Sequence, residues 1–136
     1  MNFTTVSKIE LTEEFCTQIG NIYLSCGWGA TYDWQDIKKS IINTDYNIFA
    51  IADSGEPIGM LRAFSDATFT TWLAELIVAK DSQKKGIGTA LLEQFSKEFE
   101  HTAIYVTPLK GTENFFAKTG ITQKEMLLAS SRRALR

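Results

Sequence analysis

Metal-binding and redox side chains are scarce in this chain of 136 residues, which has one histidine, His101, and two cysteines, Cys16 and Cys26. Structural zinc and soft-metal catalytic sites draw on three or four clustered Cys/His ligands, so no metal site is expected. The two cysteines of an unexported chain read more simply as free interior thiols than as a disulfide. Neither sign of charge is in large excess, the formal net being -2. That balance gives no attraction to nucleic acid or to an anionic membrane, both of which favour strongly basic faces. No apolar run approaches the ~18 residues needed to cross a bilayer, and the first ten residues lack the charged-then-apolar order of a secretory signal. A cytoplasmic address is the expectation. Repeats, linkers and low-complexity tracts are missing too, and the basic tail from Arg132 is too short for a nucleic-acid site.

What is present is a core-forming composition. With 44% hydrophobic and 12% aromatic residues, the chain can fill one core, and its length suits a single domain over residues 1–136. After Thr12, Phe15, Ile19, Ile22 and Cys26 recur at three- and four-residue spacings, and Glu13 and Glu14 suit the positive end of a helix. That helix stops near Gly27, where the glycine-flanked Trp28 can anchor a loop or wall a ligand. Asp33 is an N-cap for a second helix that turns Trp34, Ile37 and Ile41 inward. Residues 46–52 and 57–64 read as a hairpin about the turn 53–56, with Pro57 at a strand start where its missing amide is not needed. A third strand covers 69–79, and Ile87, Leu91, Phe95 and Phe99 then mark a helix. A strand over 103–106, a short helix over 112–118 closed by Gly120, and a final strand over 126–129 complete the prediction. This order specifies an α/β fold with a mixed, mostly antiparallel sheet and helices on both faces, because the strand-helix-strand unit returns parallel.

The segment Gln83-Lys84-Lys85-Gly86-Ile87-Gly88-Thr89 is the most informative in the chain. Glycine at 86 and 88 removes Cβ atoms that would block close approach, and the first turn of a helix leaves up to four amides unpaired. A diphosphate fits such a turn, helped by roughly +0.5 charge at the helix end and by the side chains of Gln83, Lys84 and Lys85. A P-loop would need Gly-Lys-Ser/Thr after four residues, and the dinucleotide fingerprint would need a third glycine at position 91, which is leucine. Taken alone, the two glycines also suit close helix-sheet packing.

With its flanks the stretch is more specific. Glu75-Leu76-Ile77-Val78, then Gln83-x-x-Gly86-x-Gly88, then Ala90-Leu91-Leu92, resembles the acetyl-CoA-binding core of the GCN5-related N-acetyltransferases. Asn114-Phe115-Phe116-Ala117-Lys118-Thr119-Gly120-Ile121 is similar to a second segment of that family in shortened form. The resemblance implies a splayed central strand pair, with pantetheine bonded to the backbone of Leu76, Ile77 and Val78. It implies a pyrophosphate on the amides of Lys84, Lys85, Gly86, Ile87, Gly88 and Thr89, and contacts to the cofactor from Asn114 and Phe116.

The implied chemistry is acetyl transfer from acetyl-CoA to a primary amine of a small molecule, in a monomer or homodimer. A protonated amine has no lone pair, so a base must take its proton and an amide must stabilise the oxyanion. Glu75 is the candidate base, with a solvated or structurally paired glutamate as the alternative, and the amide near Ile77 is the oxyanion candidate. Trp28, Tyr32 and Phe69 are expected on the acceptor side. Phe116 departs from the family, which commonly has tyrosine there to protonate the leaving thiolate; Tyr105 is a substitute candidate, with a sheet-packing tyrosine as the favoured alternative. Ser82 stands where an aromatic is usual, and Asp66 and Asp81 read as solvated turn residues. The competing function is a non-catalytic acyl-CoA-binding or sensing module.

Overall fold

The two leading helices begin where the sequence predicts, the second at its predicted cap. In the computed structural model, which describes residues 2–135, the Thr12 hydroxyl accepts the Phe15 amide and opens α1 (Glu13–Ser25). The Asp33 carboxylate accepts the Gln35 amide at 2.8 Å and opens α2 (Trp34–Ile42). Each satisfies one of the amides that a helix start leaves without a partner.

Five strands form one sheet in chain order: β1 (Phe3–Val6), β2 (Tyr46–Ala52), β3 (Pro57–Ser65), β4 (Thr70–Val78) and β5 (Ala103–Tyr105). The first four pair antiparallel. Between β4 and β5 runs α3 (Ile87–Glu98), and this crossover makes the β4–β5 pair parallel. A short α4 (Glu113–Ala117) follows β5.

The helices cover both faces. On one, Phe15, Ile19, Ile37 and Ile41 of α1 and α2 pack on Phe49, Met60 and Ile77. On the other, Leu91, Leu92 and Phe95 of α3, with Phe116 of α4, pack on Ile48, Leu61 and Leu73. Gly59 sets how closely α3 sits. A Cβ there would lie 3.2 Å from the Ile87 side chain and 3.3 Å from that of Leu91, so glycine lets the start of α3 rest directly on β3.

A bulge in β4 shapes everything that follows. Arg62 pairs with Glu75 but its neighbour Ala63 pairs with Leu73, which leaves Ala74 as an extra residue on β4. A bulge bends a strand and adds local twist. Pairing with β5 covers only Thr70, Thr71 and Trp72 and ends just before the bulge. From Leu73 to Val78 the other edge of β4 stands open, and this is the splayed strand pair.

Two elements differ from the sequence prediction. β1 was not foreseen, because four residues with two threonines give too short a pattern, yet Phe3 pairs with Ala52 and Val6 with Phe49. Residues 126–129 do not form the expected strand. Leu127 instead donates its amide to the Lys124 carbonyl in a turn, and Met126 and Leu128 stand exposed. Their Met-Leu-Leu run has neither the alternation nor the β-branching that favours a strand.

Candidate acyl-transfer site

The start of α3 is built to present main-chain donors. Gly86 caps the helix at φ 83°, in the left-handed region, where a Cβ would meet nothing within 4 Å. Lys84 also has positive φ, at 62°. Such alternation turns successive amides into one concavity. No side chain caps the helix, and the first amide with an intrahelical acceptor is that of Ala90, bonded to Gly86 at 3.0 Å. The amides of Ile87, Gly88 and Thr89 are therefore free, and those of Lys84, Lys85 and Gly86 donate to no acceptor among the described residues.

The flanking side chains behave differently from expectation. Lys85 turns back, its ammonium donating to the Asp81 carbonyl at 3.0 Å. Gln83 donates to the Val78 carbonyl at 3.1 Å, and the Cys26 thiol donates to the same oxygen at 3.2 Å. Cys16 is in the core, whereas Cys26 is half-buried beside the open strand edge.

Hydrogen-bond alternation decides which β4 groups face the gap. The Ala79 amide donates to Ile58, so Ala79 and, two residues back, Ile77 point their polar backbone at β3. Leu76 and Val78 point theirs into the gap. The register thus turns the Ile77 amide away from the oxyanion position that the resemblance implied, and the Ile77 side chain is buried under α1 and α2.

Glu75 occupies the α1/α2 face as the centre of a polar cluster. It accepts a hydrogen bond from the Tyr23 hydroxyl. Arg62 lies 3.4 Å away on the paired strand position and also donates to the Thr44 hydroxyl at 2.9 Å. Tyr23 in turn stacks on Trp28, with centroids 6.0 Å apart and planes 11° apart, and meets Tyr32 at 5.0 Å. The Tyr32 hydroxyl donates to the Trp28 carbonyl at 2.6 Å. Trp28 and Tyr32 are thus brought beside Glu75, joined by Tyr23, which the sequence reading did not single out. The sequence signal for Tyr23 was weak: a tyrosine on a buried helix face needs a partner for its hydroxyl.

Burial first, and then the Glu75 charge and hydrogen bond, push the Tyr23 phenol well above its ordinary value of 10.0. It therefore stays a proton donor throughout the neutral range. Because this raised value belongs to the folded chain, its stabilising contribution is complete below pH ~10 and is lost as pH climbs past the point where the unfolded chain ionises. Urea midpoints should hold level to that point and then fall, and Tyr23→Phe should lessen the fall. Identical alkaline losses in both proteins would remove Tyr23 as its source. Burial also raises Tyr46, so part of the fall should persist.

The remaining predicted residues fall into place less tightly. Asn114 is exposed on α4. Phe116 is buried in the α3-side core, and its neighbour Phe115 is the ring that lies against Gly88, 3.4 Å from where a Cβ would stand. Phe69 stands exposed at the β3–β4 turn, away from Glu75. In that turn the Asp66 carboxylate accepts the amides of Thr68, Phe69 and Thr70, which hold it below the usual carboxylate range. Tyr105 lies on the α1/α2 face, paired with Trp72, and not beside Phe116. Two hollows, of about 260 and 420 Å³, lie against α2 and beneath the N-terminus of α1, and neither is lined by a residue of the gap. Among the described residues no His, Cys, Asp and Glu side chains gather into a metal-binding group, and no helix is long and apolar enough to cross a membrane.

A sheet opened after its fourth strand, beside a helix whose first amides lack partners, defines a class of acyl-transferring folds. Residues 9–121 match the family model described as the Acetyltransferase (GNAT) family, so the chain belongs to the GNAT acetyltransferases. No curated protein matches it in sequence. A probable acetyltransferase from meticillin-resistant Staphylococcus aureus superposes with a TM-score of 0.81 at 14% identity, over 98% of this chain and 100% of that one. An aminoglycoside 6'-N-acetyltransferase from Acinetobacter baumannii gives 0.67 at 16% identity, over 98% and 99%. Glucosamine-6-phosphate N-acetyltransferase from Arabidopsis thaliana gives 0.73 at 11% identity, over 96% and 99%. At such identities the superpositions speak for the fold.

Proposed function

We propose that the chain transfers the acetyl group of acetyl-CoA to a primary amine of a small molecule. The observation that carries this is the meeting of three features: partnerless amides at the start of α3, an open β4 edge, and a carboxylate on the face that the gap leads to. The residues fit a long ligand with a diphosphate. The amides of Lys84, Lys85, Gly86, Ile87, Gly88 and Thr89 would hold the negative oxygens. The backbone of Leu76 and Val78 would bond the extended arm, with Gln83 and Cys26 yielding the Val78 carbonyl, and Asn114 adds a donor from α4. When bound, acetyl-CoA supplies an acyl group activated as a thioester.

The chain's own part is to orient and to move protons. Glu75, fixed by Tyr23 and Arg62, takes the proton of the acceptor amine directly or through one water. The Leu76 N–H, facing the gap next to Glu75, is the donor best directed at developing negative charge. No side chain is assigned to protonate the departing thiolate. A thiol pKa of about 8.5 makes it a tolerable leaving group without one.

The burial of Phe116, a side chain without a proton to give, favours a second reading, a non-catalytic acyl-CoA-binding module. Both readings expect coenzyme A to bind in calorimetry. Thiol release from acetyl-CoA across a panel of primary amines separates them: amine-dependent release is expected, and release no faster than the amine-free rate with every acceptor would leave only the module.

A further inference from the structure

On the α1/α2 side of the sheet, exposure rises steadily along two paired strands. Met60 and Ile77 face each other at 0% and 4% exposure under the helices. The Arg62–Glu75 pair comes next at 16% and 15%. Phe64 and Trp72, paired beyond the bulge, are open at 42% and 41%, and Tyr105, registered with Trp72 on β5, at 38%. Registered partners share a sheet face, so these aromatic side chains form one row across three strands. Strands spaced about 4.8 Å apart make the row roughly 10 Å wide, the breadth of one or two fused rings. The helices stop short of it, and Glu75 lies along its inner edge. The bulge puts Glu75 on this side: by simple alternation it would share the face of Leu73, which packs against α3.

We propose that this aromatic shelf binds the acceptor, and that the acceptor is a monoamine whose amine is carried next to an aromatic or other flat apolar group. The inference rests on the activity proposed above, and it names the substrate class. Stacking on Trp72 and Tyr105 would hold the flat group while the amine points to Glu75. Position argues for a single amine. Glu75 is the carboxylate beside the row, next to Arg62, whereas Asp45 and Asp66, which accept the Ser65 amide at 2.9 Å and three amides of the Asp66 loop, keep their charges beyond its far edge at Phe64. A flat apolar group lying on the row fills the space between them, and its one ammonium finds Glu75.

Thiol release from saturating acetyl-CoA, measured with phenethylamine, tryptamine, butylamine and spermidine, tests this. The arylalkylamines should exceed butylamine in kcat/KM by about tenfold or more. Trp72→Ala and Tyr105→Ser should each bring that ratio down towards one, while calorimetric affinity for coenzyme A holds. Equal rates for aryl and alkyl amines, or a ratio untouched by both variants, would overturn the shelf and leave acetyl transfer standing. Coenzyme A binding with no amine turned over would overturn the activity and the inference together. A concentration-dependent dimer abolished by Trp72→Ala would assign the shelf to a second copy of the chain, against the proposal.

Discussion

Gly88→Glu should sharply weaken coenzyme A binding while leaving the protein folded and no less stable. A Cβ at position 88 has ordinary contact room, 3.4 Å from the Phe115 ring and 3.7 Å from Val78. The side chain would leave between those two residues, beside the free amides at the start of α3. Glutamate is a better helix former than glycine, and a negative charge in the first turn is favoured by the helix dipole by about 0.3–1 kcal/mol. The same charge would stand where diphosphate oxygens are to sit, and its carboxylate would compete for their donors. A loss of coenzyme A affinity of about a hundredfold or more is expected. Calorimetry reads the affinity and thermal unfolding reads the fold. Native affinity in a folded variant would remove the diphosphate from this turn.

Glu75→Gln should lower kcat by about a hundredfold with little change in coenzyme A affinity. Glutamine keeps the shape of glutamate and can still accept the Tyr23 hydrogen bond, so the aromatic cluster around Trp28 and Tyr32 should stay in place. What it loses is the capacity to take a proton. Steady-state rates at saturating acetyl-CoA, with the best amine of the panel, check this. Activity within about threefold of the native enzyme would make Glu75 a clamp for Arg62 and send the proton elsewhere.

Much of this architecture could be read from residue patterns because it rests on local rules. The periodic run after Thr12 gives the first helix, Asp33 caps the second, Pro57 starts a strand, and the four-residue spacing from Ile87 to Phe95 gives the crossover helix that makes β5 parallel. The start of α3 was legible because glycine at 86 and 88 says directly that the backbone is exposed there. What stayed hidden depends on pairing over long separations. The bulge at Ala74 has no local signature, yet it decides that Glu75 and Trp72 share a face. The alternation that turns Leu76, rather than Ile77, into the gap follows from the Ala79–Ile58 bond and appears only once the register is fixed. Tyr23 meets Glu75 across 52 positions of sequence. The strand foreseen over 126–129 failed for the converse reason: an apolar run suggests burial but cannot say whether a neighbour exists.

The seam that joins β5 to the rest of the sheet is only three residue pairs long. Beyond it β4 continues for six residues, about 20 Å at the usual strand rise. Its other edge stays paired to β3 as far as Val78, so only the side turned to β5 can widen, and the gap is a wedge with its pivot at Trp72 and Tyr105. A few degrees of slack at the pivot would become on the order of an ångström at the far end, enough to admit acyl chains a carbon or so longer than acetyl. Tolerance for acyl length in this protein would then be governed by the stiffness of that short hinge, with no residue of the gap needing to change.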